Sequence, residues 1–181
     1  GMTHSMHRRG PEDHLKEDFI LLVTAASGIN NIGSKPKLIK VLEAIWEVGP
    51  DNTGSNETGT ILSGVSVDEI KAGFTNVPRV RCCFNGIEKI RVILKKILEM
   101  DLGMSVALSG PYAEIMGLCE ELNLRPHSAN FSLNVWGRTE KLPNEEIMQF
   151  VTMCGHGLIS KTLVEDTIEK VKSGVMTPEK G

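Results

Sequence analysis

In TMCGHGLIS, Thr152–Ser160, a cysteine and a histidine stand one residue apart, each followed by glycine. A thiol at the start of a helix meets free backbone N–H groups and the positive end of the helix dipole, and both favour the thiolate. Cys154 is therefore a candidate base or nucleophile, with His156 to assist it and the Gly155 amide to hold an anion. The same residues have a structural reading. Ile147, Phe150, Val151 and Cys154 follow helical spacing, which makes Cys154 the last core residue of one helix and Gly155 its terminator. His156 is also a metal-ligand type, but Cys154 and His156 are half a ligand set and no C-x-x-C pair exists. No metal site is assigned within the chain, and no cofactor is named.

A second set of residues suits binding rather than reaction. The segment GINNIGSK, Gly28–Lys35, resembles a Walker A phosphate loop with its last two residues exchanged. Pro36 disfavours helical geometry at Lys35, so the magnesium and phosphate roles of that loop fail. What remains is an anion- or amide-binding loop formed by Gly28, Asn30, Asn31, Ser34 and Lys35. Ser109-Gly110 opens a further helix, whose first N–H groups favour anions. The segment NFSLNVW, Asn130–Trp136, alternates. Read as a strand, it turns Phe131, Leu133 and Val135 to the core and leaves Asn130, Ser132, Asn134 and Trp136 on the other face. Neutral hydrogen-bonding groups beside a large aromatic suit a polar ligand; the bland reading is a wetted or helix-covered face. His127 and Arg138 flank the segment and could assist.

These residues act together only if the elements between them gather their loops. FILLVTAA, from Phe19 to Ala26, is continuously apolar and reads as a strand buried on both faces. Pro36 opens a helix to about Val48, and Gly49–Gly59 reads as a flexible loop before a weak strand at Thr60–Val65. Ser66 with Glu69 forms a capping box. Arg79–Phe84 alternates, with Arg81 beside Cys83 on one face, where the arginine reads as exposed. A helix follows to about residue 101, capped by Asn85 and Glu88, with Ile87, Ile90, Leu94, Ile97 and Leu98 as its stripe. Met104–Leu108 reads as another buried strand, and two helices follow Pro143. A β-α-β-α-β order implies parallel strands, whose trailing loops line one rim. The expected fold class is α/β: a mostly parallel sheet of about four or five strands with flanking helices and a helical C-terminal segment. Residues 1–17 read as a disordered tail or tag remnant, 18–142 as the α/β domain, and 143–181 as the helical segment. That segment stops two residues after a helix-start signal at Thr177-Pro178-Glu179, which reads either as a truncated chain or as the start of a tail that never folds.

Composition narrows the classes. The net charge of −3 offers no bulk attraction for nucleic acid or an anionic membrane. One tyrosine and five phenylalanines make no stacking platform for single strands. No apolar run reaches the ~18 residues of a membrane span. The four cysteines form no disulfide framework and read as reduced, which points to the cytoplasm. The expected partner is a small polar or anionic molecule, with no nucleic acid, no membrane and a homo-oligomer as an open possibility.

Two resemblances extend this reading. Met153-Cys154-Gly155-His156-Gly157-Leu158-Ile159 is similar to the active-site signature of proline racemases and hydroxyproline epimerases. That resemblance implies Cys154 as a proton-transferring base, with the Gly155 and His156 amides on a substrate carboxylate. The tracts NFSLNVWGRTEKLP and TMCGHGLISKTLVEDTIEKVKSGVMTPE look like an uncharacterised family of anaerobic microbes whose members continue into a Cys-rich tail. This second resemblance implies that Cys154 or His156 joins further cysteines around a metal or iron–sulfur cluster. The leading expectation is a protein that binds a small polar or anionic ligand. The competing ones are an enzyme using Cys154 as thiolate base or nucleophile, and a redox or metal-associated interaction module.

Overall fold

The structure is a computed structural model and describes residues 8–75, 79–153 and 158–181. Its elements, in chain order, are α1 (Glu12–Leu15), β1 (Phe19–Thr24), α2 (Lys35–Val48), β2 (Asn52–Ser55), β3 (Gly59–Thr60), α3 (Val67–Gly73), β4 (Arg79–Phe84), α4 (Ile87–Met100), β5 (Ser105–Ser109), α5 (Tyr112–Glu121), α6 (Glu145–Val151) and α7 (Lys161–Lys172). The chain divides into two compact units. One is Lys16–Pro126; the other joins the N-terminal stretch up to Leu15 with His127–Gly181.

The larger unit carries the sheet, in the order β3-β2-β4-β1-β5. Every adjacent pair in it is antiparallel. The expected parallel sheet is therefore wrong, and the reason is specific. Since β1 and β2 both oppose β4, they run the same way, as a β-α-β unit requires; so do β4 and β5, which both oppose β1. The two β-α-β segments, β1-α2-β2 and β4-α4-β5, interleave with opposite sense, so β1 pairs only with β4 and β5, and β4 only with β1 and β2. This is the order of a split β-α-β, or ferredoxin-like, arrangement. β2 lies in the Gly/Asn-rich stretch that reads as a loop. The expected strand at Thr60–Val65 is a two-residue β3 followed by a 3-10 turn at Ile61–Ser63.

β1 is not buried on both faces. Phe19, Leu21 and Val23 are fully buried, whereas Ile20, Leu22 and Thr24 are only half-buried. The buried side joins Val80, Cys82 and Phe84 of β4 and the apolar stripes of α2 and α4 in one core. On α2 the stripe is Leu38, Val41, Leu42, Ala44 and Ile45; on α4 it is Ile90, Ile93, Leu94 and Ile97. Each such side chain contributes roughly 1.5–3 kcal/mol when fully buried. Leu98, expected in the stripe, is 46% exposed. Ion pairs join the helices side by side: Lys71 to Glu43 links α3 with α2, Lys96 to Glu47 links α2 with α4, and Arg91 to Glu121 links α4 with α5. Taken by itself, the unit is thus two-layered, with its helices in a row on one sheet face and the opposite, helix-free face carrying none of the unit's own described helices.

In the smaller unit, Asn144 caps α6 and Ser160 caps α7, each accepting from a backbone N–H three residues on. Residues 8 and 9, on the expected tail, bond within this unit. The Arg8 guanidinium donates to the Gln149 carbonyl, the Arg9 amide donates to Thr152 Oγ1 at 3.0 Å, and Arg9 pairs with Glu145 at 2.9 Å.

Candidate functional site

The single rim expected from parallel strands does not form. Thr24 at the end of β1 pairs with Arg79 and Ser105, the first residues of β4 and β5. Ser109, the last residue of β5, pairs instead with Ile20 near the start of β1. The Gly28–Lys35 loop therefore sits at one end of the sheet, and Ser109-Gly110 at the other. Asn30 shows the first placement directly, since its Nδ2 donates to the carbonyl of Gly103 ahead of β5 at 2.7 Å. A Cβ on Gly110 would come within 2.5 Å of the Phe19 ring, which shows the second.

The loop's polar groups are engaged in holding it. Asn30 Oδ1 accepts from the Ala26 amide at 2.7 Å, and Asn31 Oδ1 accepts from the Gly28 amide at 2.8 Å. Ser34 is fully buried, and its Oγ donates to the Asn31 carbonyl. Lys35 Nζ donates to the Ala72 carbonyl at 3.1 Å. Gly28 and Gly33 have φ of 76° and 75°, a region other residues enter only with strain. The loop is a built turn rather than a cradle of free donors.

The Asn130–Trp136 segment belongs to no strand among the described residues. Leu133, Val135 and Phe131, expected in the core, are exposed. Asn134 turns the backbone at φ 72°, its Oδ1 accepts from the Val135 amide, and the Trp136 indole N–H donates to the Leu133 carbonyl. The alternating pattern is present, but a strand forms only where a ladder partner lies alongside. Asn130, Ser132 and His127 are exposed, and Arg138 pairs with Glu140 at 2.7 Å. Cys154, Gly155 and His156 lie outside the described residues.

One of the expected residues, Ser109, stands on the helix-free face, and there the register assembles a different constellation. Asn52, Cys83, Ile20 and Ser109 form one row across β2, β4, β1 and β5; Gly54, Arg81, Leu22 and Ala107 form the next. Arg79, Thr24 and Ser105 make a third. Arg81 is half-buried rather than exposed, and its guanidinium makes no hydrogen bond or ion pair with a described residue. Burial, and then the like charge of Arg79, lower its pKa, while the charge of Glu57 acts the other way. The face offers a half-buried cation with no hydrogen-bonded partner among the described residues, amide and hydroxyl groups, and an apolar floor at Ile20, Leu22 and Ala107.

None of the described thiols is activated. Burial pushes Cys82, Cys83 and Cys119 up, and on Cys83 the charges of Asp51 and Asp18 add to it. Arg81, one row away, does not make Cys83 a thiolate. Among the described residues no three His, Cys, Asp or Glu side chains converge as a metal site. A shallow open groove of about 480 Å³ runs between α2 and α4, lined by Glu47, Val48, Glu88, Lys89, Val92 and Lys96. Lys96 already pairs with Glu47 there, and Lys89 donates to the Gly49 carbonyl. No helix of the described residues is long and apolar enough to cross a membrane. Comparison with family models, curated proteins and solved structures finds no match to this chain.

Proposed function

We propose that the protein binds a small polar or anionic molecule on the helix-free face of its sheet, with Arg81 as the anchoring cation. The observation that carries this reading is the Arg81 guanidinium itself, half-buried, with no carboxylate in contact among the described residues. A desolvated charge is costly until it is paired. A ligand carboxylate or phosphate supplies that pair, and its two oxygens match the guanidinium fork. Arg79 adds long-range attraction, and Ser109 and Asn52 offer hydrogen bonds one row away. The role is binding; the described residues supply no general base or nucleophile with a favourable pKa at this face.

The test is a thermal-shift and calorimetric panel of small carboxylates and phosphates against wild type, Arg81→Gln and Lys35→Ala. A saturable response is expected in wild type. A charged hydrogen bond is worth about 1.5–3 kcal/mol, so Arg81→Gln weakens binding at least tenfold. Lys35→Ala leaves it unchanged, because that ammonium is held by the Ala72 carbonyl. Equal responses in wild type and Arg81→Gln, or a response lost in Lys35→Ala alone, would reject the site.

A further inference from the structure

Two features of this chain complement each other. The first is the edge of β5, which among the described residues pairs on one side only, with β1. The other sheet edge, β3, is two residues long and offers little to pair with, whereas β5 presents five residues. Val106 pairs with the fully buried Val23 and so faces the helix layer, yet it remains 37% exposed. An apolar side chain of the sheet is thus left partly uncovered at that margin. The second feature is the segment Asn130–Trp136, which has strand composition and alternates polar and apolar from Asn130 to Val135, but belongs to no strand among the described residues. Leu133 and Trp136 in it are 74% and 85% exposed, and Val135 is 44% exposed.

We propose that the segment 130–136 of one copy adds to the β5 edge of a second copy, closing a symmetric dimer by mutual strand exchange. The two patterns agree side by side. β5 presents Val106 and Leu108 toward the helix layer and Ser105, Ala107 and Ser109 toward the helix-free face. The segment presents Leu133 and Val135 on one side and Asn130, Asn134 and Trp136 on the other. Added as a strand, its apolar side covers Val106 and its polar side extends the helix-free face. Main-chain hydrogen bonds supply affinity and the alternation sets register, as in other strand additions. Exchange in both directions uses the same two surfaces twice, which closes the assembly at two copies. Asn134 must leave its left-handed turn and give up its bond to the Val135 amide. Asparagine makes that change at little cost. The inference is independent of any ligand at Arg81.

Sedimentation velocity on the full chain tests it with two variants, one on each surface. Leu133→Asp places a charge on the exposed segment; Ser105→Pro blocks the edge at the first strand residue, where proline is tolerated. Wild type is expected to sediment as a dimer, and each variant to associate at least tenfold more weakly. Circular dichroism should show both variants folded. Mixing the two variants is the decisive arm. One intact segment then meets one intact edge, and association is expected to return through that single junction. A wild type that is monomeric at about 100 µM overturns the proposal, because a strand addition of use to the protein binds more tightly. Variants that stay dimeric, or a mixture that stays monomeric, overturn it as well.

Discussion

Arg81 and the buried thiols give the chain its most readable chemistry at the level of single residues. Alternation in Arg79–Phe84 places Arg81 and Cys83 on one face, and the strand bears this out. What the alternation cannot give is their exposure, which depends on the strands that pair on either side, β1 and β2. Cys82 is nearly fully buried, and its thiol is held well above its ordinary value near 9. The folded state therefore keeps this proton at pH values where the unfolded chain has released it. The stability linked to that proton is complete below pH 9 and is lost as pH rises beyond it, by up to about 1.4 kcal/mol per pH unit. Thermal unfolding followed between pH 8 and pH 10.5 should show this decline, and Cys82→Val, which keeps the volume and removes the titrating group, should make it shallower while the raised thiols of Cys83 and Cys119 keep their share. The same protonation slows the chemistry of the thiol. Iodoacetamide near neutral pH should label Cys82 only as fast as the protein unfolds. Rapid labelling of Cys82 in the folded protein would contradict its burial.

Local signals placed the elements well where they concern the helix itself. Ser66 and Glu69 form the expected capping box: Glu69 accepts from the Ser66 amide at 2.8 Å, and Ser66 Oγ accepts from the Glu69 amide at 3.2 Å. Loss of the Ser66 hydroxyl, in Ser66→Ala, should destabilise α3 by about 1 kcal/mol in chemical denaturation. The expected cap of α4 by Asn85 is absent; Gly86 holds the N-cap position and the Asn85 amide is taken by Asp51. That carboxylate comes from 34 residues away, beyond the reach of any local pattern. The β2–β3 hairpin reads as a loop for a related reason. Its composition, NTGS then GT, is that of a loop, and pairing with β4 makes β2 a strand. Gly54 is required there, because a Cβ would stand 2.1 Å from the Gly59 carbonyl oxygen. Gly54→Ala should therefore destabilise the fold by more than 2 kcal/mol, read by denaturant midpoint, through a clash with backbone that cannot swing aside.

At the scale of the whole molecule, the core decides what can stand alone. Every residue of the main hydrophobic cluster lies between Phe19 and Leu118, inside the Lys16–Pro126 unit. A fragment of residues 16–126 is expected to keep the sheet and unfold in one cooperative step by circular dichroism. A fragment that unfolds without a transition would show that the rest of the chain is part of this core. The antiparallel order also moves the candidate site. With neighbouring strands opposed, the loops after β1 and β5 part to opposite ends, and the side chains that do gather are those in rows across one sheet face. The groups best placed to meet a ligand are therefore mid-strand residues such as Arg81, which loop-centred reasoning passes over.

Local pattern in the chain carries the α/β character, the span of β4, the helices from α2 to α7 to within a few residues, and most of the apolar stripe of α4, where Leu98 alone is exposed. These follow from periodicity, capping and glycine or proline punctuation, all of which act over a few residues. Strand direction, the partner of each strand and the exposure of Arg81, Leu133 and Val106 were decided only in the tertiary structure. A β-α-β segment fixes how its own two strands run, but not which strand lies between them. That choice depends on which arrangement of two such segments buries one shared apolar layer, a property of the assembled chain and of no stretch within it.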